Sequence, residues 1–286
     1  MAQWFLIIVR CNREAACHAR STIAPSGRSF TRNTRRLQRL VLVTILGPLL
    51  TASGPLFAQS ALKTPRRVPQ ILPLDDSDTG FTPIFDGTTL DGWDGDTAYW
   101  RAEDGELIGE VTAANLLKHN SFIIWRGGKP KNFELKAEYR ISDFGNSGIN
   151  YRSVEIHGSR WVLRGPQADI DGQNIGTGQN YEEGGRTILA RRGDVIHIAT
   201  GADPRVIATL GTAEELKSFI TVNDWNKYHL IVRGNLMIHI LNGHIMSEVI
   251  DDDRVNRKFG GLIGVQVHVG PPMKIEYRHI LLKTLN

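Results

Sequence analysis

Beyond residue 80, apolar and polar positions alternate with a period of two far more often than with a helical period, and that period belongs to β-strands. The clearest run is 133–141, Phe-Glu-Leu-Lys-Ala-Glu-Tyr-Arg-Ile, which reads as a strand with one buried and one wet face. Runs at 121–125, 228–233, 236–241 and 274–283 predict further strands. Asp104-Gly105, between 99–102 and 106–110, and Asn242-Gly243 are hairpin signals. One helix is signalled: Thr212-Ala213-Glu214-Glu215 has the capping-box pattern ahead of 216–220, and the helix is short and peripheral. The glycine-rich stretch 171–186 reads as the longest irregular loop, and a loop of that length in a compact domain tends to be functional. Many strands, glycine-rich turns and almost no helix predict an all-β fold, a β-sandwich or jelly roll.

Three apolar segments carry polar residues at spacing two. Around Arg164-Gly165-Pro166-Gln167-Ala168-Asp169-Ile170-Asp171, a strand puts Gln167, Asp169 and Asp171 on one face and Ala168 and Ile170 on the other. In 148–153, Asn150 and Arg152 share a face; in 262–269, Gln266 and His268 do, with the valines opposite. Together they suggest one sheet with an apolar back and a chemically equipped front. Asn150, Arg152, Gln167, Asp169, Gln266 and His268 are expected on one concave face.

Charge divides the chain unevenly. Residues 1–59 hold eight arginines and one acid, whereas 60–286 hold 26 basic and 29 acidic residues, a net of −3. The body is therefore mildly acidic and offers no basic patch for nucleic acid. Both cysteines, Cys11 and Cys17, precede the body, which leaves it without disulfides or thiolate metal ligands. Residues 1–34 read as an upstream extension of the reading frame or a transit-like segment. Arg35-Arg36-Leu37-Gln38-Arg39, the apolar run 40–50 and Ala58 form a signal peptide over 35–58, so export to the periplasm or outside is expected. Left uncleaved, this segment would serve as an inner-membrane anchor. Residues 60–80 read as a proline-bearing linker and 81–286 as the working domain.

Each candidate has a plainer reading. Asp169 and Asp171 suit general acid/base work, metal ligation or a solvated surface, and Asp171, beside Gly172, also suits turn formation. His268 is followed by Gly270-Pro271-Pro272, a rigid turn that would hold it at the rim of the face, where histidine suits proton transfer. Arg152 opposite carboxylates would pair with them or hold substrate oxygens. The histidines at 157, 197, 229, 239, 244 and 279 lack ligand spacing, and most tryptophans read as core. No phosphate loop, nucleophile elbow or zinc motif is present.

Phe85-Asp86-Gly87, Leu90-Asp91-Gly92-Trp93, Trp100 with Asp104-Gly105, Phe133-Glu134-Leu135 and Asn146-Ser147-Gly148-Ile149 with Tyr151-Arg152 run in order. They are followed by Gln167-Ala168-Asp169, Thr177-Gly178, Tyr181-Glu182, Asp224-Trp225-Asn226, Leu241-Asn242-Gly243 and Gln266-Val267-His268. Over 81–286 this series resembles the 3-keto-disaccharide hydrolase family, also described as 3-keto-glucoside 1,2-lyase and 3-keto-2-hydroxy-glucal hydratase. The resemblance implies a concanavalin A-like sandwich, often exported, acting on oxidised glycosides. A related glucanase strand carries glutamate, aspartate and glutamate; here the strand reads Gln167-Ala168-Asp169-Ile170-Asp171, which disfavours ordinary glycoside hydrolysis.

A 3-keto group acidifies the C2 proton, so one base, one acid and an oxyanion partner suffice for elimination and hydration. The candidate base is His268 or Asp169, and the enolate partner is Arg152 or a metal. The hydroxyl readers are Asn150, Gln167 and Gln266, joined by Tyr181 and Glu182 as substrate contacts. The expected partner is a small carbohydrate. No cofactor is expected, with a bound divalent ion as the alternative. The competing function is a non-catalytic carbohydrate-binding module of lectin-like fold.

Overall fold

The computed structural model describes Arg66–Arg67 and residues 77–286, all within the unit Ser60–Asn286. The leader, both cysteines, the signal segment and most of the linker lie outside the described residues. In chain order the strands are β1 (Arg66–Arg67), β2 (Thr82–Pro83), β3 (Trp93–Asp94), β4 (Trp100–Glu103), β5 (Glu106–Val111), β6 (Ser121–Trp125), β7 (Phe133–Ile141), β8 (Asn146–Glu155) and β9 (Leu163–Asp171). They continue with β10 (Asn180–Glu183), β11 (Thr187–Ala190), β12 (Asp194–Ala199), β13 (Arg205–Thr209), β14 (Asn226–Arg233), β15 (Leu236–Leu241), β16 (His244–Asp252), β17 (Leu262–Val267) and β18 (Met273–Thr284). One helix, α1 (Ala213–Lys217), lies between β13 and β14.

Two sheets stack as the expected all-β sandwich. The larger runs β1-β13-β12-β16-β15-β14-β7-β18-β5-β4, with β2 against β18; the smaller runs β11-β10-β9-β8-β17-β6-β3. Alternation decides what each strand buries. Phe133, Leu135, Ala137, Tyr139 and Ile141 of β7 enter the core, where they join Ile149, Tyr151, Ala168, Ile170, Val265 and Val267 of the smaller sheet. A second, small apolar cluster of Phe122, Ile124, Leu163 and Leu262 lies apart from that core. Phe122 is the cross-strand partner of Gln266, so this cluster sits on the outer side of the smaller sheet and takes up part of it.

The turn chemistry follows the sequence. Asp104 and Gly105 (φ 54° and 87°) and Asn242 and Gly243 (φ 49° and 80°) are left-handed at both central positions, the turn that suits the twist of paired strands. Thr212 Oγ1 accepts from the Glu215 amide at 3.1 Å, and the Glu215 carboxylate accepts from the Thr212 amide at 2.8 Å, completing the capping box. The irregular stretch 171–186 is a shorter loop than expected: β10 occupies Asn180–Glu183 and pairs with β9 and β11. Four polar residues carry no apolar alternation, so this strand has no periodic signal. Within the linker, Arg66–Arg67 pair in parallel with β13.

Candidate active site

Strands β8, β9 and β17 bring most of the predicted polar residues into phase. Gly148 pairs with Asp169, and Asn150 with both Gln167 and Gly264. Their neighbours Ile149, Ala168, Ile170, Val265 and Val267 fill the core. Asn150, Gln167, Asp169 and Gln266 therefore face outward together, as expected, and Tyr181, the partner of Gln167, joins them. Three of the four are covered, however: Asn150, Gln167 and Gln266 are 0%, 2% and 0% exposed. Gln167 Nε2 donates to Asn150 Oδ1 at 2.8 Å, and Gly148 makes room, since a Cβ there would come within 2.5 Å of Gln167 Cγ. Asn150 Nδ2 and Gln266 Oε1 have no hydrogen-bond partner. These amides form a packed polar layer beneath the site and do not read hydroxyls from the cleft.

Asp169 is the member of the row that reaches the cleft. The cleft has a volume of about 500 Å³, within the range of small-molecule sites, and Asn146, Gln173, Gln179 and Arg191 also line it. The Asp169 carboxyl is half-buried, and Gln179 Nε2 donates to its Oδ2. Desolvation pushes it up to about 7; the Gln179 hydrogen bond opposes this, and the charges of Asp171 and Glu183 add to it. A carboxyl that titrates near neutrality in a cleft is suited to taking and returning protons. Gly176 keeps the pair uncrowded: a Cβ there would lie 2.8 Å from Gln179 Nε2 and 3.2 Å from Asp169 Oδ2.

Other expected site residues serve the fold. Five residues of β8, from Asn150 to Val154, oppose four of β9, from Gln167 to Arg164. The extra residue is a bulge, and Arg152 sits in it at φ 46°. That insertion breaks the alternation, so Arg152 leaves the polar row. It is 2% exposed and donates to the carbonyls of Lys131 (2.5 Å), Gly234 (2.7 Å) and Lys258 (3.2 Å), stapling three segments. Glu182, alternating inward with Asn180, accepts from Arg186 Nε at 2.6 Å, and Arg186 also binds Asp251 at 2.8 Å. This buried ion-pair network occupies Glu182 and removes it from substrate contact. Asp171 accepts from the amides of Ile175 (2.9 Å), Gly176 (2.6 Å) and Thr177 (2.9 Å) and so shapes the loop after β9. His268 lies past the end of β17, with Nδ1 2.6 Å from the Val269 carbonyl oxygen; among the described residues no hydrogen bond joins it to Asp169.

Three residues were missed. Gln179 orients the carboxyl through the loop. Glu183 on β10 accepts from Asn120 at 3.2 Å and Gln266 at 3.4 Å, although β9 and β8 lie between β10 and β17 in the sheet. A flat sheet would hold those strands about 14 Å apart, so this face curls over. Arg191 lines the cleft; among the described residues its guanidinium makes no hydrogen bond, and its charge acts on Asp194. It is not one of the charges that shift Asp169, so the two share the cleft without pairing. The only signal was position: Arg191 follows a short strand, in a stretch with no motif.

Behind the site runs an interior network. The carbonyl of Gln179 accepts the Asp169 amide at 3.2 Å and lies 3.3 Å from Nδ1 of His239 on β15. His239 Nε2 lies 2.9 Å from Tyr151 Oη, which accepts from Asn180 Nδ2 at 2.9 Å. Complete burial lowers His239 to about 3, so it stays neutral; Nδ1–H donates to Gln179 and Nε2 accepts from Tyr151. Among the described residues, no group of three or more His, Cys, Asp or Glu side chains is placed to hold a metal ion. Tyr181 stays protonated, its phenol raised by desolvation and then by Glu183 and Asp169.

Comparison with known proteins places this geometry among relatives. A family model described as a 3-keto-alpha-glucoside-1,2-lyase-like domain matches residues 80–283. Over 96 residues the chain is 34% identical to a Bacteroides thetaiotaomicron protein named 3-keto-disaccharide hydrolase; the match covers 30% of this chain and 31% of that protein. The chain thus matches about a third of that curated relative's length. Among solved structures, a Bacillus subtilis carbohydrate binding module is similar at 14% identity and TM-score 0.47, covering 71% of this chain and all of that one. A non-specific endo-beta-1,3(4)-glucanase is similar at 11% identity and TM-score 0.41, covering 77% and 96%.

Proposed function

The chain belongs to the 3-keto-alpha-glucoside-1,2-lyase-like family, and from that premise we propose that it is a carbohydrate-active enzyme cleaving 3-keto-glycosides by elimination and hydration. The observation that carries the reading is Asp169, a half-buried carboxyl raised to about 7, in one cleft with Arg191. The name of the Bacteroides relative supports the substrate class.

In the proposed reaction the Asp169 carboxylate takes the C2 proton, and the electron pair of that bond flows to the C3 carbonyl as an enolate. The Arg191 guanidinium holds the enolate oxygen, taking the part for which the sequence had offered Arg152 or a metal. The enolate reforms the ketone, the C1–O bond breaks, and the departing oxygen receives the proton from Asp169. Water then adds to the C1=C2 bond, with hydroxyl to C1 and the proton to C2, so the net result is hydrolysis. Gln179 keeps the carboxyl aimed, and Asn146 and Gln173 offer hydroxyl contacts. The scheme uses no metal, and elemental analysis of the active protein tests that part.

Product analysis with a 3-keto-glucoside beside its unoxidised parent decides the reading. Only the keto compound is expected to be cleaved, and in deuterated water its sugar product should carry deuterium at C2. Equal cleavage of the parent would remove the keto-specific reading, and an unlabelled product, with background exchange slow, would point to direct displacement at C1. Export is proposed from the leader; amino-terminal sequencing of envelope-fraction protein should find a start near Gln59.

A further inference from the structure

We propose that the mouth of the Asp169 cleft is a binding subsite for an apolar leaving group, so that the preferred substrates are 3-keto-glucosides of apolar alcohols or phenols. This inference rests on the reaction proposed above and names its substrate class. Among the described residues the three most exposed large apolar side chains are Ile175 at 75%, Val255 at 72% and Phe144 at 68%. Two of these three line this one cleft, together with Ile188 and Pro271. Phe144 lies between β7 and β8, Ile175 between β9 and β10, and Pro271 between β17 and β18. Three separate connections thus bring apolar surface to the same end of the smaller sheet.

These loops are exposed but held. The Ile175 amide donates to Asp171 Oδ1 at 2.9 Å. The Gly145 amide donates to the Ser142 carbonyl at 2.8 Å, and the Gly172 amide to the Gly145 carbonyl at 3.0 Å, which ties the two loops together. They approach so closely that a Cβ on Gly172 would lie 2.0 Å from the Ser142 oxygen. A fixed apolar surface binds with little ordering cost. Asp171 also lines the mouth, but its oxygens are taken up by the loop amides. Going along β9 toward the loop, polar Asp169 comes first and exposed Ile175 follows. A glucoside of an apolar alcohol has the same order, with its hydroxylated ring at the carboxyl and its C1 substituent outward.

The test compares benzyl and methyl 3-keto-glucosides, whose leaving alcohols are similar in acidity but differ in apolar size, using the full chain. Wild-type kcat/KM should favour the benzyl compound by about tenfold, the effect of one good aromatic contact. In F144A and I175S that ratio should fall toward one, while V255S, equally exposed but outside the cleft, should keep it. A wild-type ratio near one, or a ratio indifferent to F144A and I175S, overturns the subsite. Calorimetric binding of the same two compounds to D169N probes the subsite separately from catalysis. Tighter benzyl binding that F144A abolishes supports the subsite even if neither compound is turned over, a result that would sink only the proposed reaction. Equal or absent binding of the two overturns the subsite itself.

Discussion

The outer faces of the two sheets both carry polar side chains and treat them in opposite ways. On the larger sheet every charge of β7 has a partner: Glu134 with His229 at 2.9 Å, Lys136 with Asp78 at 3.0 Å, Glu138 with Arg278 at 2.7 Å and Arg140 with Glu276 at 2.6 Å. A cavity of about 260 Å³ opens there, yet Lys136, Glu138 and His229 in its wall are all engaged. On the smaller sheet Asp169 has an amide for a partner and no cation, two buried amide atoms have no partner, and the Arg191 guanidinium at the cleft makes no hydrogen bond, with Asp194 the anion its charge acts on. Unmet polar groups cost free energy in the empty protein. A face that neutralises itself is finished as a surface, whereas one that keeps that cost is shaped for something that arrives later.

The largest test of this contrast is Asp169→Asn. It should cut turnover of a 3-keto-glucoside by ~10²–10⁴ with the fold intact by circular dichroism, the usual contribution of a positioned base. Wild-type kcat/KM should rise with pH through about 7, where the carboxyl loses its proton. Stability should move the other way. The folded carboxyl holds its proton more tightly than the unfolded one, so its contribution is full below about pH 4 and is lost as pH rises through about 7. Thermal melts of D169N should lack that slope. Turnover unchanged in D169N would shift the base elsewhere, with His268 next in line.

Arg191→Met should lower kcat by about 10²-fold and KM by much less, as expected for a group that binds charge formed only during reaction. An effect confined to KM would make Arg191 a ground-state contact. Arg152→Met should instead destabilise the fold by about 2–4 kcal/mol, because buried carbonyls lose charged donors; urea unfolding measures it, and the folded fraction should keep its turnover. The smallest effect is expected on the opposite face. Glu138→Gln breaks a partly exposed ion pair and should cost no more than about 1 kcal/mol, with kcat/KM unaltered. A large loss of activity in E138Q would mean that the two faces are less different than their pairing suggests.

Much of the architecture was legible because period-two alternation and turn chemistry are local. The strand 133–141 and the turns at Asp104-Gly105 and Asn242-Gly243 needed no tertiary information. The same period put Asn150, Gln167, Asp169 and Gln266 on one side of one sheet. It could not see how deep each would sit, since burial depends on what curls over: the Glu183 bridge and the cluster around Phe122 come from elsewhere in the chain. Arg152 was lost to one inserted residue, which reverses every side chain after it. Glu182 and Glu183 are adjacent and opposite in fate, and nothing in that polar tetrapeptide shows the phase. Arg191 and Gln179 lack even a pattern: Gln179 is placed by the loop that Asp171 shapes through its hydrogen bonds, and Arg191 by the turn after β11.

If Asp169 is the base proposed above, the link from His239 to Gln179 gives the sandwich a mechanical part in the chemistry. His239 belongs to the larger sheet, while the carboxyl it steadies, through the Gln179 carbonyl, belongs to the smaller one. The aim of the carboxyl therefore registers how the two layers are seated against each other. A slide of one layer over the other, too small to expose the core, would tilt Gln179 and swing the base off its proton. Under the proposed reaction, turnover would gauge interlayer alignment, and warming should dull it before the sandwich comes apart.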